Sequence, residues 1–207
     1  MTGNLIRVGV LGSGSGTNCE ALMEACAQGS IPAKVVLVLS DVADAPILDR
    51  AHKRGIPAKF IGKSLFKSKL EPELERRVVT LLQEADVDLV ALAGYMRIVK
   101  EPLLTAFAGR IINIHPALLP SFPGLKAWEQ AFAYGAKVTG CTVHFVDGGV
   151  DTGPIILQEA VPVLAGDTPA TLHQRIQVVE HKLYPEAVRL FAEGKLRVVG
   201  RRVEQLP

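Results

Sequence analysis

The segment Asn113-Ile114-His115-Pro116 contains the side chains best suited to catalysis. Successive residues of a strand point to opposite faces, so Asn113 and His115 would share one face just before Pro116. An amide can donate a hydrogen bond to a developing oxyanion, and an imidazole can exchange a proton near neutral pH. Two polar side chains at the end of a buried strand are costly unless they are hydrogen-bonded or used. The pair is therefore either catalytic or a hydrogen-bonded structural pair.

A second polar segment follows His144 and contains Asp147 and Asp151 in the sequence Asp-Gly-Gly-Val-Asp-Thr-Gly. If this loop folds over the end of the strand that carries Asn113 and His115, one carboxylate could orient and charge the imidazole. Taken alone, an Asp-Gly-Gly sequence is typical of a hairpin turn, and the carboxylates are too few for a calcium site. His144 lies in mid-strand and is interpreted as a hydrogen-bonded core histidine.

The glycine-rich segment 12–18 (GSGSGTN) joins a predicted strand to a predicted helix. Its glycines let the backbone approach a ligand, and the N–H groups of a helix N-terminus attract an anion, which favours a phosphate site. Thr17 occupies the third glycine position of a dinucleotide fingerprint, and Asp41 lies too far from the glycines for its ribose-binding acid. The alternative is a tight turn with no ligand.

A fourth segment, Gly94-Tyr95-Met96-Arg97-Ile98, follows another apolar strand. Backbone groups exposed in an apolar segment could line a pocket for a flat heterocycle. The alternative is an ordinary connection from a strand to a helix.

Apolar runs and helical periodicity predict the elements that position these segments. The strands are apolar throughout and alternate with helices, which indicates a parallel sheet with ligands at the carboxyl ends of its strands. Thr168 is predicted to cap the last helix, Pro185 to bend or interrupt it, and Gly194 to end it. The predicted strands are 5–11, 34–40, 58–61, 89–93, 110–114, 138–146, 154–163 and 197–199, and the earlier helices are 17–28, 45–54, 65–85 and 126–134.

The predicted fold is α/β: a Rossmann-like, mostly parallel sheet with helices on both faces and an antiparallel strand pair in the C-terminal part. We expect one domain over residues 1–207, with a phosphate-binding half at about 1–100 and a catalytic, ligand-binding half at about 101–207. The formal net charge of +2 is spread along the chain, which argues against nucleic-acid binding. Three cysteines without zinc or disulfide spacing, and no apolar run of membrane-spanning length, predict a cytoplasmic protein without a membrane partner.

These segments together resemble the phosphoribosylglycinamide formyltransferases. The resemblance runs from about Val8 to about Pro185 in the same order, and the Asn-x-His-Pro segment with a later Asp belongs to the wider formyltetrahydrofolate-dependent superfamily. It implies formyl transfer from 10-formyltetrahydrofolate to glycinamide ribonucleotide in purine synthesis, without a metal, by a monomer or homodimer. The segments that carry the resemblance are 14–18, 93–98, 113–124 and 144–153.

The resemblance also implies roles for individual positions. In the implied reaction Asn113 and protonated His115 donate hydrogen bonds to the oxyanion, and Asp151 raises the imidazole pKa. The implied catalytic trio is Asn113, His115 and Asp151; the substrate contacts are Gly16, Thr17, Asn18, Gln177 and Glu180; the folate contacts are Met96, Arg97, Ile98, Val99, Asp147 and Asp151.

Three other functions compete with this interpretation. A formyltetrahydrofolate deformylase shares the trio, but we expect no extra N-terminal domain because the first predicted strand begins near Met1. A methionyl-tRNA formyltransferase would need a C-terminal RNA-binding domain and a basic surface. A non-enzymatic phosphate-binding protein would leave the trio without a joint task. Convergence of the three side chains within hydrogen-bond reach would argue against the last alternative.

Overall fold

The first part of the chain alternates strands and helices around a parallel sheet. The computed structural model describes residues 5–207, and the chain divides into two compact units between Ile112 and Asn113. The elements of the first unit are β1 (Ile6–Leu11), α1 (Thr17–Ala27), β2 (Ala33–Ser40), α2 (Pro46–Lys53), β3 (Ala58–Phe60), α3 (Pro72–Glu84), β4 (Leu89–Leu92) and α4 (Leu103–Ala106).

The sheet of the first unit has the order β3-β2-β1-β4, and every neighbouring pair is parallel. All four residues of β4 are buried, as are the last four of β1. Such continuous apolar strands suit a sheet covered by other elements. The parallel arrangement predicted from the sequence is confirmed. It brings the carboxyl ends of β1, β2 and β4, and the loops that follow them, to one edge.

The prediction of a long helix over 65–85 is wrong at its start, because α3 begins at Pro72. A residue that precedes proline is disfavoured in the helical region, and Glu71 is extended, with φ −66° and ψ 150°. Local hydrogen bonds take the place of helical ones before Pro72. Glu71 accepts from the Leu65 N–H, and the Ser64 hydroxyl donates to the Lys69 carbonyl and accepts the Phe66 N–H.

The second unit contains the predicted antiparallel pair. Its strands β6 (Val138–Phe145) and β7 (Ile155–Pro162) run antiparallel, from Val138 opposite Pro162 to His144 opposite Ile155. The strand β5 (Ile111–His115) contains the boundary between the units and carries Asn113 and His115 at its end. The other elements are α5 (Ala127–Tyr134), α6 (Pro169–Ala192), β8 (Leu196–Val199) and β9 (Arg202–Gln205).

The long helix α6 begins as predicted and continues through its proline. Thr168 and Thr171 form a capping box, and a proline stands in the first turn. Pro185 does not interrupt the helix. A proline removes one helical hydrogen bond, but Pro185 is buried between fully buried Tyr184 and Ala187. Burial of Pro185 among these side chains therefore outweighs the free-energy cost of the lost helical hydrogen bond.

The sequence did not predict α4 or β9. The helix α4 has only four residues, too few to show a periodic pattern. The strand β9 pairs antiparallel with β8 across a turn at Gly200, which has φ 60°. The pattern around it is short and mostly exposed. Within residues 5–207, no helix has the length and apolar character that crossing a bilayer requires.

Candidate functional site

The loop after β6 places a carboxylate against the end of β5. His115 is 3% exposed, and its Nδ1 lies 3.4 Å from Oδ2 of Asp151. The Asn113 side chain belongs to the same group, because its Nδ2 lies 3.2 Å from Nε2 of His144, which is itself 3.7 Å from Oδ1 of Asp151. The structure therefore brings together the three side chains that the sequence selected.

Both ring nitrogens of His115 face oxygen atoms. Nε2 lies 2.8 Å from the Phe122 carbonyl oxygen, and Nδ1 faces Asp151. Burial is the largest influence on this ring and lowers its pKa below 6.5, although Asp151 and the Phe122 carbonyl oppose the shift. The expected upward effect of Asp151 is present, but desolvation of the charged ring outweighs it in the absence of a ligand. Protonation of His115 during the reaction stays a prediction.

His144 is part of the site rather than only a core histidine. Its Nδ1 lies 2.7 Å from the Phe145 carbonyl oxygen, which can only accept, so Nδ1 carries the proton. In the neutral ring Nε2 is then an acceptor, and it takes one N–H of the Asn113 amide. The second N–H of that amide is left for another acceptor. The sequence signal was the strand position of His144, two residues before the aspartate-containing loop.

Asp151 is held by several contacts. Its Oδ2 accepts the Gly124 N–H at 2.7 Å. Burial raises the pKa of this carboxyl, but the proximity of His144 and His115 and the hydrogen bond from the Gly124 N–H together lower it below 3.8. Asp151 is therefore ionised at neutral pH.

Backbone strain is concentrated around His115. Asp151 has φ 54° and Phe122 has φ 53°, values in the left-handed region that residues with a Cβ rarely adopt. Both residues contact the imidazole. Such conformations cost on the order of 1–3 kcal/mol each and cluster at functional sites. Among residues 5–207, these are two of four non-glycine residues with a positive φ, the others being Asp86 and Lys126.

The loop that carries Asp151 is folded on itself. Oδ1 of Asp147 accepts the Gly149 N–H at 3.0 Å and the Thr152 hydroxyl at 2.5 Å. A Cβ on Gly153 would collide with the Phe145 carbonyl oxygen. Asp147 thus shapes the loop, and Gly153 lets it pass close to β6.

The glycine-rich loop of the first unit ends in a helix start that no side chain caps, within the described residues. Gly16 is the N-cap of α1 and has φ 73°. The N–H groups of a first helical turn lack helical partners and attract anions. The loop with Thr17 and Asn18 at the start of α1 is thus suited to a phosphate.

The segment 94–99 follows β4. It has an exposed apolar side chain, Met96, and a charged side chain, Arg97, that is paired within the protein. Met96 is 53% exposed and Val99 is buried. The Arg97 guanidinium pairs with Asp41 at 2.6 Å. Contacts of this segment with a ligand would therefore use the Met96 side chain and the backbone.

The two positions selected on α6 lie one turn apart. Gln177 is partly exposed and Glu180 is 4% exposed. Burial and the charge of Glu180 raise the pKa of the Cys141 thiol, in β6, to about 12. Among residues 5–207, no three His, Cys, Asp or Glu side chains are grouped so that they could hold a metal ion.

Comparisons with known proteins agree on one family. Residues 6–188 match the family described as Formyl transferase. A solved structure of glycinamide ribonucleotide transformylase 1 from Symbiobacterium toebii is 54% identical, with a TM-score of 0.93 over 99% of this chain and 96% of that one. A phosphoribosylglycinamide formyltransferase of Bacillus subtilis is 42% identical over 87% of this chain and 91% of its own length.

Longer and more distant relatives also match. The human trifunctional purine biosynthetic protein adenosine-3 is 45% identical over 93% of this chain, which spans 19% of that protein's length. A solved formyltetrahydrofolate deformylase from Pseudomonas syringae has a TM-score of 0.89 but is 25% identical, and the match covers 67% of it.

Proposed function

We propose that this chain, which belongs to the formyl transferase family, transfers a formyl group from 10-formyltetrahydrofolate to the amine of glycinamide ribonucleotide. The products would be formylglycinamide ribonucleotide and tetrahydrofolate, in purine synthesis in the cytoplasm. The observation that carries the proposal is the contact of Asp151 with His115 beside the Asn113 amide. Close similarity to glycinamide ribonucleotide transformylases, against 25% identity to the deformylase, favours an amine over water as the acceptor.

The donor groups at the end of β5 suit a carbonyl oxygen that gains negative charge. When bound, 10-formyltetrahydrofolate supplies an activated formyl group. Asn113 donates the N–H that His144 does not use, and removing one donor of this kind typically costs about 100-fold or more in rate. The negative charge that develops on the carbonyl oxygen favours the protonated form of His115, and the Asp151 carboxylate stabilises the resulting imidazolium. The ring can therefore be neutral before the ligands bind and take up a proton from solvent as negative charge develops beside it. This proton is separate from the one that the attacking amine releases.

Asp151 also has the properties of a proton acceptor. It is ionised at neutral pH and partly exposed. We assign it the proton that the attacking amine releases, which it returns through water to the leaving nitrogen.

Substrate contacts are assigned by the family resemblance and the local chemistry. The uncapped start of α1 suits the phosphate, and the exposed Met96 with the backbone of its segment suits the apolar faces of a pteridine. Buried Glu180 suits a substrate amine, to which a carboxylate can bind tightly. The assigned contacts are Gly16, Thr17, Asn18, Gln177 and Glu180 for glycinamide ribonucleotide, and Met96, Arg97, Ile98, Val99, Asp147 and Asp151 for folate.

The deciding experiment measures tetrahydrofolate release from 10-formyltetrahydrofolate, by absorbance, with and without glycinamide ribonucleotide. Release that depends on the ribonucleotide supports the proposal. Equal release without it would make the chain a deformylase, and no release under either condition would refute both activities.

The role of Asp151 is tested by Asp151→Asn. The amide keeps the size of the side chain but carries no charge to stabilise the imidazolium. We expect kcat to fall by about 100-fold or more, with little change in the Kd of glycinamide ribonucleotide measured by calorimetry. Turnover within about twofold of the parent protein would refute the assigned role.

A further inference from the structure

Asp41 is the centre of a hydrogen-bonded cluster that joins three loops of the first unit. It follows β2 directly and is 6% exposed. Its Oδ1 accepts the Ser13 hydroxyl at 2.5 Å, and its Oδ2 accepts the Arg97 Nε–H at 2.6 Å. One carboxylate thus ties the loop after β1 to the segment after β4.

Ser13 strengthens the same connection. Its hydroxyl donates to Asp41 and accepts the Met96 N–H at 2.9 Å. Its own N–H donates to the Gly94 carbonyl at 3.0 Å. The start of the glycine-rich loop and the backbone at Met96 therefore share a side chain that Asp41 orients.

Arg97 extends the cluster to a third segment. Its Nη1 donates to the carbonyls of Phe66 and Lys67, at 2.5 Å each. The Arg97 side chain is 16% exposed and the Asp41 side chain 2% exposed. Removing one partner of a charge pair buried to this degree leaves the other charge buried and unpaired, which is strongly destabilising. Asp41 is therefore important for the conformation of the segments that Arg97 contacts.

We propose that Asp41 is a positioning residue that sets the phosphate-binding loop and the folate-binding segment together, so that its loss weakens the binding of both ligands. This inference rests on the function proposed above. The glycine-rich loop to be positioned is Gly12–Asn18, and the segment is Gly94–Val99. Both carboxylate oxygens of Asp41 are already engaged within the protein, so Asp41 acts on the ligands through the loops that it holds.

The first test compares Asp41→Asn with a control of the same chemistry. The amide can still accept from Ser13, but its NH2 group would face the Arg97 guanidinium. Asp88→Asn is the control. Oδ2 of Asp88 accepts the Arg7 N–H near the N-terminal end of β1, whereas the glycine-rich loop follows the C-terminal end of the same strand. Calorimetry measures the Kd of glycinamide ribonucleotide and of 10-formyltetrahydrofolate, each alone.

We expect Asp41→Asn to raise both Kd values by about tenfold, in line with hydrogen bonds to charged groups, and Asp88→Asn to change neither. A change in only one Kd, in neither, or an equal change in the Asp88→Asn control would overturn the proposal. If the parent protein binds neither ligand, the proposed function fails instead.

Hydrogen exchange tests the positioning without any ligand. In Asp41→Asn, the amides of both 12–18 and 94–99 should exchange faster than in the parent protein, whereas those of β6 and β7 should not change. Exchange that rises everywhere would mean a general loss of stability and would refute a positioning role. If Asp41→Asn does not fold, the same measurement is made on Ser13→Ala, which removes the hydroxyl that bonds both Asp41 and the Met96 N–H. Unchanged exchange in either segment of that variant would refute the proposal.

Discussion

The side chains around His115 create a setting in which its imidazole can change protonation state during a reaction. Burial favours the neutral ring, whereas Asp151 and the Phe122 carbonyl favour the charged one. Opposed influences of this kind allow a small change in the surroundings, such as negative charge on a bound ligand, to shift the protonation state. A fully exposed histidine would lack the desolvation, and a deeply buried one without Asp151 would stay neutral. The position of Asp151 is therefore central to the site.

His144 is predicted to orient the catalytic amide. Its Nε2 accepts one Asn113 N–H, which fixes the orientation of the amide. In His144→Phe the ring size is kept but the acceptor is lost, so the amide can rotate. We expect kcat to fall by about tenfold or more, with KM for glycinamide ribonucleotide nearly unchanged.

The matched variant is His144→Gln, whose side-chain oxygen can replace the Nε2 acceptor. It should lose less activity than His144→Phe in the same steady-state assay. A Phe variant with the kcat of the parent protein, or a Gln variant that is equally impaired, would contradict the assigned role.

The sequence predicts the trio better than it predicts the surroundings. Strand alternation places Asn113 and His115 on one face, and the loop with Asp151 follows a strand of suitable length. The role of His144 could not be predicted, because it depends on which ring nitrogen the Phe145 carbonyl engages. The lowered pKa of His115 likewise depends on how deeply the ring is buried, which only the packed structure determines.

The sequence predicts the strands and helices that have long apolar or periodic patterns. It does not predict boundaries that depend on local hydrogen bonds. The buried strands β1, β2, β4 and β6 were found from continuous apolar runs. The start of α3 was misplaced because apolar residues continue before Pro72, whereas contacts of Ser64 and Glu71 determine the actual conformation there. Periodicity cannot show where such contacts compete with a helix.

The start of α1 depends on a residue without a side chain. Gly16 has φ 73°, and a Cβ there would lie 2.7 Å from Cβ of Ile47. We expect Gly16→Ala to lower the free energy of unfolding by about 2 kcal/mol or more, since the left-handed conformation alone costs an alanine roughly 1–2 kcal/mol. Urea unfolding followed by circular dichroism measures the change.

Gly14→Ala is the control in the same loop. A Cβ at Gly14 would meet no atom within 4 Å, and its φ lies outside the left-handed range. Its free energy of unfolding should stay within about 0.5 kcal/mol of the parent value. Equal stabilities of the two variants would show that the close contact with Ile47 does not constrain the loop.

Across the whole molecule, burial of histidines links stability to pH. Burial is the largest cause of a lowered pKa in His115, His173 and His181, each below the ordinary 6.5. The unfolded chain then binds more protons than the folded one between these lowered values and 6.5, so stability rises with pH in that window. The contribution of these neutral, buried histidines to the free energy of unfolding is complete above pH 6.5. It is lost as the pH falls through their pKa values in the folded protein. The lowered pKa of Asp151 acts with the same sign at more acidic pH.

This linkage predicts a smaller free energy of unfolding at pH 5.5 than at pH 7.5, measured by urea denaturation in buffers of equal ionic strength. His181 should contribute to the difference, because its Nε2 is buried and has no hydrogen-bond partner among the described residues. In His181→Leu the difference between the two pH values should therefore be smaller than in the parent protein, whatever the effect of the substitution on stability at either pH. An equal or larger difference in the variant would mean that His181 does not titrate with unfolding, and an unfolding free energy that rises towards pH 5.5 would reverse the sign assigned to the buried histidines as a group.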